Sequence, residues 1–282
     1  MHPIERLRMV ARAQGEDPSL LAREAAAVLA DVADDLPGLV TGCRRLVDHQ
    51  PTSGPVWWLA ARVLAAGDPE EEAWRSAELL DADATVAALA YHLPEDAQVL
   101  VVGWPDQAAD ALRRRGDCRV LVADALGAGG GLAAQLRRAG TDALVVDQAG
   151  LGAAVGASGL VLLEATAAGP DGFVAAAGSL AAAAVARTAG VTVWLVAGVG
   201  RVLPEPLWRA MVDRFESGPD DPWDRGEEVV PASLVDAVVG PAGPSPPADA
   251  LGRSDCPAVP ELTRTWAAPG SRRRSGSGAD DG

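Results

Sequence analysis

A chain of 282 residues with 49% hydrophobic side chains is long enough for one large domain, or two modest ones with real cores. Its formal charge of −15 leaves no positive surplus to neutralise a polynucleotide, which excludes nucleic acid as a broad electrostatic partner. Apolar runs such as Ala181 to Ala186 fall far short of the ~20 residues that span a bilayer. No apolar stretch follows the charges of Met1 to Arg6, so no membrane partner and no secretory leader are expected, and the cytoplasm is the default location.

There is no lysine, so Schiff-base chemistry, a lysine base and a P-loop lysine are all excluded. Cys43, Cys118 and Cys256 are far apart and read as reduced, buried thiols. His2, His49 and His92 are scattered too, so neither a metal nor a cofactor is expected.

In chain order, the first ninety or so residues carry only helix signals. Asp17-Pro18 caps a helix whose apolar stripe is Leu21, Ala25, Val28, Leu29 and Val32. Leu36, Leu39, Val40, Cys43, Leu46 and Val47 repeat that spacing. Pro55 opens a third helix bearing Val56, Leu59, Ala60, Val63 and Leu64. Asp68-Pro69 caps a fourth, with Glu70, Glu71 and Glu72 in the turn where the dipole favours negative charge, and it runs towards Tyr91.

From Ala97 the pattern changes to short β-branched runs at Val99 to Val102, Val120 to Val122, Ala143 to Val146, Leu160 to Leu163 and Val191 to Val196. Amphipathic or alanine-rich pieces separate them. Continuous apolar strands alternating with helices predict a parallel sheet covered on both faces, and right-handed crossovers make it doubly wound. Val229 to Val239 reads as a strand entrance and a short helix. The fold class is therefore α/β: a helical bundle over 1–94, a Rossmann-like doubly wound parallel sheet domain over 95–265, and a disordered tail over 266–282.

Ligands of an open parallel sheet bind beyond the carboxyl ends of its strands. The loop after the first strand has Gly103 but no G-x-G-x-x-G. The run Gly127 to Gly131 also misses, with Leu132 where a third glycine belongs. Gly178-Ser179 would set backbone amides and a hydroxyl at a helix N-terminus, which suits a phosphate, although such a pair also caps helices ordinarily. Asp124, Asp147, Glu164 and Asp171 form a set of acids on the same rim, fit for hydroxyl recognition, proton transfer or helix capping.

The order of these pieces resembles the family of the alpha, beta and delta regulatory subunits of eukaryotic translation initiation factor 2B. Methylthioribose-1-phosphate isomerase and ribose-1,5-bisphosphate isomerase belong to the same family. The resemblance rests on Cys118 to Asp124 followed by glycines, Ala143 to Asp147, Gly172 to Ala181, Val191 to Ala197, and Pro51-Thr52-Ser53 before a helix. It implies a helical domain joined to a Rossmann-like one, and a homodimer. It also implies where an isomerase would act. The cysteine position falls on Gly103, the catalytic aspartate on Gly172, the Asn-Lys pair on Ala175 and Ala176, and an arginine on Leu126, while Gly-Thr survives as Gly178-Ser179.

The resemblance therefore implies a non-catalytic protein that binds a phosphorylated sugar or nucleotide in a regulatory role. Gly178 and Ser179 would hold the phosphate, Asp147 and Asp124 the sugar hydroxyls, with Gly103 beside them and Asp171 lining the pocket. The alternative is an aldose–ketose isomerase with rearranged acids, in which Asp171, one position from the expected aspartate, is the base. A third reading is a structural subunit using Trp57, Trp58 and Trp208 for protein contacts, unless these fill the core.

Overall fold

The computed structural model describes residues 18–264. Five helices come first: α1 (Pro18–Ala30), α2 (Leu36–His49), α3 (Gly54–Ala65), α4 (Pro69–Asp81) and α5 (Thr85–His92). The stripe of α1 is buried at Leu21, Ala25, Val28 and Leu29, as its spacing predicts. Asp68 accepts the Glu71 amide at the start of α4. What reads as one helix to Tyr91 is two, because Asp83 turns the chain by accepting both the amide and the hydroxyl of Thr85. Helix α3 is wrapped by α1, α2 and α4. Trp57 and Trp58 on α3 and Trp208 further along are buried, so the contact-surface reading of these tryptophans is corrected: they fill the core.

The sheet follows. Its strands are β1 (Gln98–Val102), β2 (Arg119–Ala123), β3 (Asp142–Val146), β4 (Leu160–Glu164), β7 (Thr192–Val196), β9 (Ala237–Gly240) and β10 (Gly243–Ser245). The crossover helices are α6 (Asp106–Arg115), α7 (Gly129–Arg138), α8 (Leu151–Ala157) and α9 (Ser179–Ala189). In space the order is β10-β9-β7-β4-β1-β2-β3, parallel except for β10 against β9. Along β1, Val99 and Val101 face one apolar layer while Leu100 and Val102 face the other, the period-2 signature of a sheet covered on both sides. Edge strand β3 departs from that expectation, since Leu144 and Val145 are 43% and 40% exposed.

A second, three-stranded antiparallel sheet was not legible in the sequence. It joins β5 (Ala167–Ala168), β6 (Gly172–Ala176) and β8 (Glu227–Pro231). Little in the sequence marks β5 and β6 as strands, because β5 is two alanines, Phe173-Val174 is too short to read as a strand run, and the pairing of β6 with β8 comes from more than fifty residues away. This sheet and helix α10 (Glu205–Glu216) close the core of the first helices through Ala167, Val174, Leu207 and Met211.

Past Gly240 the proline-rich segment is ordered as β10, α11 (Pro247–Leu251) and α12 (Pro260–Thr263). Cys256, Val259 and Leu262 bury into the helical core. Asp255 ties this segment down by accepting from the Trp58 indole at 2.9 Å and from Arg62 at 3.1 Å. The expected tail at 266–282 lies outside the described residues.

Candidate functional site

The chain lays down β1, β2 and β3 outward, then returns to place β4 on the other side of β1. That reversal leaves a crevice beyond the ends of β1 and β4, the place where open α/β sheets bind ligands. A cavity of about 170 Å³ lies there. Val102 and Trp104 line it from β1, Glu164 and Thr166 from β4, Ser179 from the start of α9, and Arg201 and Glu227 from the far wall.

Arg201 is the unusual member. It follows β7 in an otherwise apolar, glycine-rich turn and is buried. Its Nη1 donates to Glu164 Oε1 at 2.8 Å and to the Ala165 carbonyl at 2.6 Å. Its Nε and Nη2 are buried without a partner. Glu164 is fixed from the other side too, because its Oε2 accepts the Ala108 amide in the first turn of α6 at 2.9 Å. The carboxylate thus holds the guanidinium in one pose and leaves one edge of it unused.

Glu227 faces the cavity from β8, and the hydroxyls of Thr52 and Thr166 bond to it. Burial pushes its carboxyl above the ordinary value of 4.5, and the two hydroxyl bonds offset part of that rise. With Asp106, also on the lining, the wall carries three acids against one arginine.

The residues marked from the sequence separate around this crevice. Ser179 lines it and is almost wholly buried. Gly178, at φ +98°, is the cap of α9 and lines a neighbouring cavity of about 270 Å³ together with Asp124. Asp124 accepts the Gly129 amide at 2.8 Å, so it caps α7. Asp147 is exposed at the entrance to the 3-10 turn Gln148–Gly150 and lines neither cavity. Asp171 stands elsewhere: it accepts the Trp208 indole at 2.6 Å and lines a separate cavity beside Arg209.

Gly103 sits between the lining residues Val102 and Trp104 at φ +66°. A Cβ there would come within 3.3 Å of the Cβ atoms of both Ala125 and Ala176. Leu126, in the position of the expected arginine, is largely exposed and holds a left-handed φ of +53°. Two glycines of the run, Gly129 and Gly131, serve packing. A side chain at Gly131 would collide with the Trp104 ring, and one at Gly129 with the backbone of Asp124.

Sequence reasoning missed Arg201 and Glu227. A lone arginine in Val199-Gly200-Arg201-Val202-Leu203, just past a buried strand, was the available signal, since an unpaired charge in apolar surroundings asks for a partner. Among the described residues, no group of three or more His, Cys, Asp or Glu stands close enough to hold a metal, and no helix is long and apolar enough to cross a membrane.

Neither a protein-family model nor a curated protein matches the sequence. Solved structures do match the fold. The translation initiation factor eIF-2B of Pyrococcus horikoshii OT3 superposes with a TM-score of 0.72 at 15% identity, covering 88% of this chain and 98% of that one. The eIF2B beta subunit of Chaetomium thermophilum gives 0.67 at 16% identity, covering 89% of each chain. A chain of the tetrameric eIF2B-beta2-delta2 complex from C. thermophilum gives 0.68 at 17%, covering 89% of this chain and 92% of that one. These three structures belong to the family that the sequence resembles, and at such identities they establish the fold.

Proposed function

We propose that the chain is a divergent, non-catalytic member of the translation initiation factor 2B alpha, beta and delta family that binds a small phosphorylated sugar or nucleotide in the switch-point crevice. The observation that carries this reading is the unused edge of Arg201. A buried guanidinium with unpaired Nε and Nη2 is costly to maintain, and that edge matches two oxygens of a phosphate or carboxylate. Ser179 and the first turn of α9 add amides and a favourable dipole nearby. Glu227 and Thr166 offer partners for hydroxyls.

The non-catalytic part of the reading rests on what stands at the reacting positions. Gly103 has no thiol, Leu126 no charge, and Glu164 is committed to Arg201 and to the α6 terminus. A cytoplasmic homodimer fits the acidic surface and the exposed apolar residues Leu144 and Val145 on edge strand β3. Sedimentation equilibrium tests the dimer, and a monomer at micromolar concentration would remove it.

Thermal melts with ribose 5-phosphate and AMP, against ribose and adenosine, test the ligand class. A phosphorylated ligand at 100 times its Kd is expected to add about 2.7 kcal/mol of stability. That gain should vanish in Arg201→Met. Equal melts with and without every phosphorylated compound would sink the reading.

One observation favours a second reading. Glu227 is a carboxyl raised by burial in the same crevice as a fixed Glu164, an arrangement suited to proton transfer in an aldose–ketose isomerase with altered groups. Turnover of methylthioribose 1-phosphate or ribose 1,5-bisphosphate, lost in Glu227→Gln, would replace the non-catalytic reading with this one.

A further inference from the structure

We propose that Trp104 is the base-stacking residue of the crevice, so that the ligand is a nucleoside 5′-monophosphate with its phosphate at Arg201 and its base on the indole. The inference rests on the ligand-binding reading above and narrows it to one class of ligand.

It begins with the gradient of exposure across the cavity. Arg201 and Ser179 are almost wholly buried and form its floor, where Nε and Nη2 of the arginine stand unpartnered. Thr166 and Glu227 are intermediate. Trp104 and Gly226 are the exposed members of the lining and mark the mouth. At about 170 Å³ the cavity is smaller than the roughly 300 Å³ that encloses a drug-sized ligand. It therefore takes a pentose and its phosphate, and a group on the far carbon of the sugar is left at the mouth.

The mouth is suited to a flat apolar group. Trp104 stands in the turn from β1 to α6, between Gly103 at φ +66° and Pro105, whose ring fixes its own φ. The six-membered edge of its indole rests against the start of α7, where a Cβ at Gly131 would fall 2.8 Å from Cζ3. The ring is thus braced on one side, yet the residue stays 42% exposed. Trp57, Trp58 and Trp208 are buried instead, and they donate their indole N–H groups to Pro51, Asp255 and Asp171. Leu126 brings a second apolar side chain to the same rim: it is 72% exposed, and its Cδ1 would lie 3.4 Å from a Cβ at Gly226. A bare sugar phosphate would leave this rim in water, whereas a nucleobase would cover it. In a 5′-monophosphate the phosphate and the base leave opposite ends of the ribose, matching an arginine at the floor and an aromatic ring at the mouth.

Calorimetric titration of the full chain with AMP and with ribose 5-phosphate tests this, alongside Trp104→Phe, Trp104→Leu and Arg201→Met. The quantity read is the ratio of the two affinities, which isolates the base from the sugar phosphate that both compounds share. The native protein is expected to prefer AMP about tenfold. Trp104→Phe, which keeps an aromatic face, should retain most of that preference, and Trp104→Leu, apolar but not aromatic, should bring it within twofold of unity. Arg201→Met should weaken both compounds together. If the native protein binds the two equally, stacking on Trp104 is overturned and the crevice reading stands. A tenfold preference that survives in Trp104→Leu overturns it as well, because the base then sits elsewhere. If the native protein binds neither compound, the crevice reading fails first and this inference falls with it.

Discussion

Arg201 and Glu164 meet at 2.8 Å with 1% and 8% of their side chains exposed, joining the loop after β7 to the end of β4. Removing one partner from such a pair leaves the other charge buried and uncompensated, which costs about 3–5 kcal/mol. Glu164→Gln is therefore expected to destabilise the chain by an amount in that range, read as a lower midpoint in urea at unchanged m-value. The double variant Glu164→Leu with Arg201→Met should recover most of the loss, because an apolar pair of similar volume has no charge to desolvate. A double variant as unstable as the single one would show that packing, rather than the ion pair, sets the cost.

Restoring a thiol after the first strand is predicted to fail as a route to activity. At φ +66°, and with Ala125 and Ala176 both 3.3 Å from a new Cβ, Gly103→Cys strains the backbone and crowds two neighbours. The expected penalty is about 1–3 kcal/mol, with no isomerase turnover. Turnover in that single variant would overturn the reading that Leu126 and the commitment of Glu164 also block the chemistry.

Much of this was legible because the physics was local. The five apolar strand runs, the helical stripes and the cap at Asp68 follow from spacing within ten residues, and the structure places an element at each. The family resemblance then supplied the join between a helical part and a Rossmann-like one. The small sheet was hidden, since Gly172 to Ala176 has no strand-favouring run and acquires its pairing from Glu227 to Pro231. The site divided the same way. Ser179 was visible as a helix start, whereas Arg201 gains its meaning only from Glu164, 37 residues away, and Glu227 only from Thr52 and Thr166, further still along the chain.

Asp171 is predicted to matter for folding and not for the crevice. Its carboxylate accepts the buried Trp208 indole at 2.6 Å in a separate cavity. Asp171→Ala leaves that indole N–H without its partner and should cost about 1–3 kcal/mol. Sugar-phosphate binding, measured by calorimetry at a temperature where the variant is folded, should stay within twofold of the native value. A tenfold loss there would return Asp171 to the ligand site.

Glu227 gives the crevice a pH dependence of unusual sign for a carboxyl. Burial raises its folded-state pKa above the ordinary 4.5, so between the two values the folded chain binds more protons than the unfolded one. Stability then falls as pH rises. The contribution is fully present below about 4.5 and is lost as pH climbs through the raised folded value. Glutamine at this position keeps a carbonyl oxygen for Thr52 and Thr166 but has no proton to lose. Glu227→Gln should therefore match the native stability near pH 4 and exceed it increasingly towards neutrality, levelling off once the native carboxyl is ionised. Each unit by which burial raises the group corresponds to about 1.4 kcal/mol of that final difference. Urea midpoints at half-unit intervals from pH 4 to 8 measure it directly. A difference that stays constant across that range would mean that Glu227 titrates as an ordinary exposed glutamate and that the cavity wall around it is open to water.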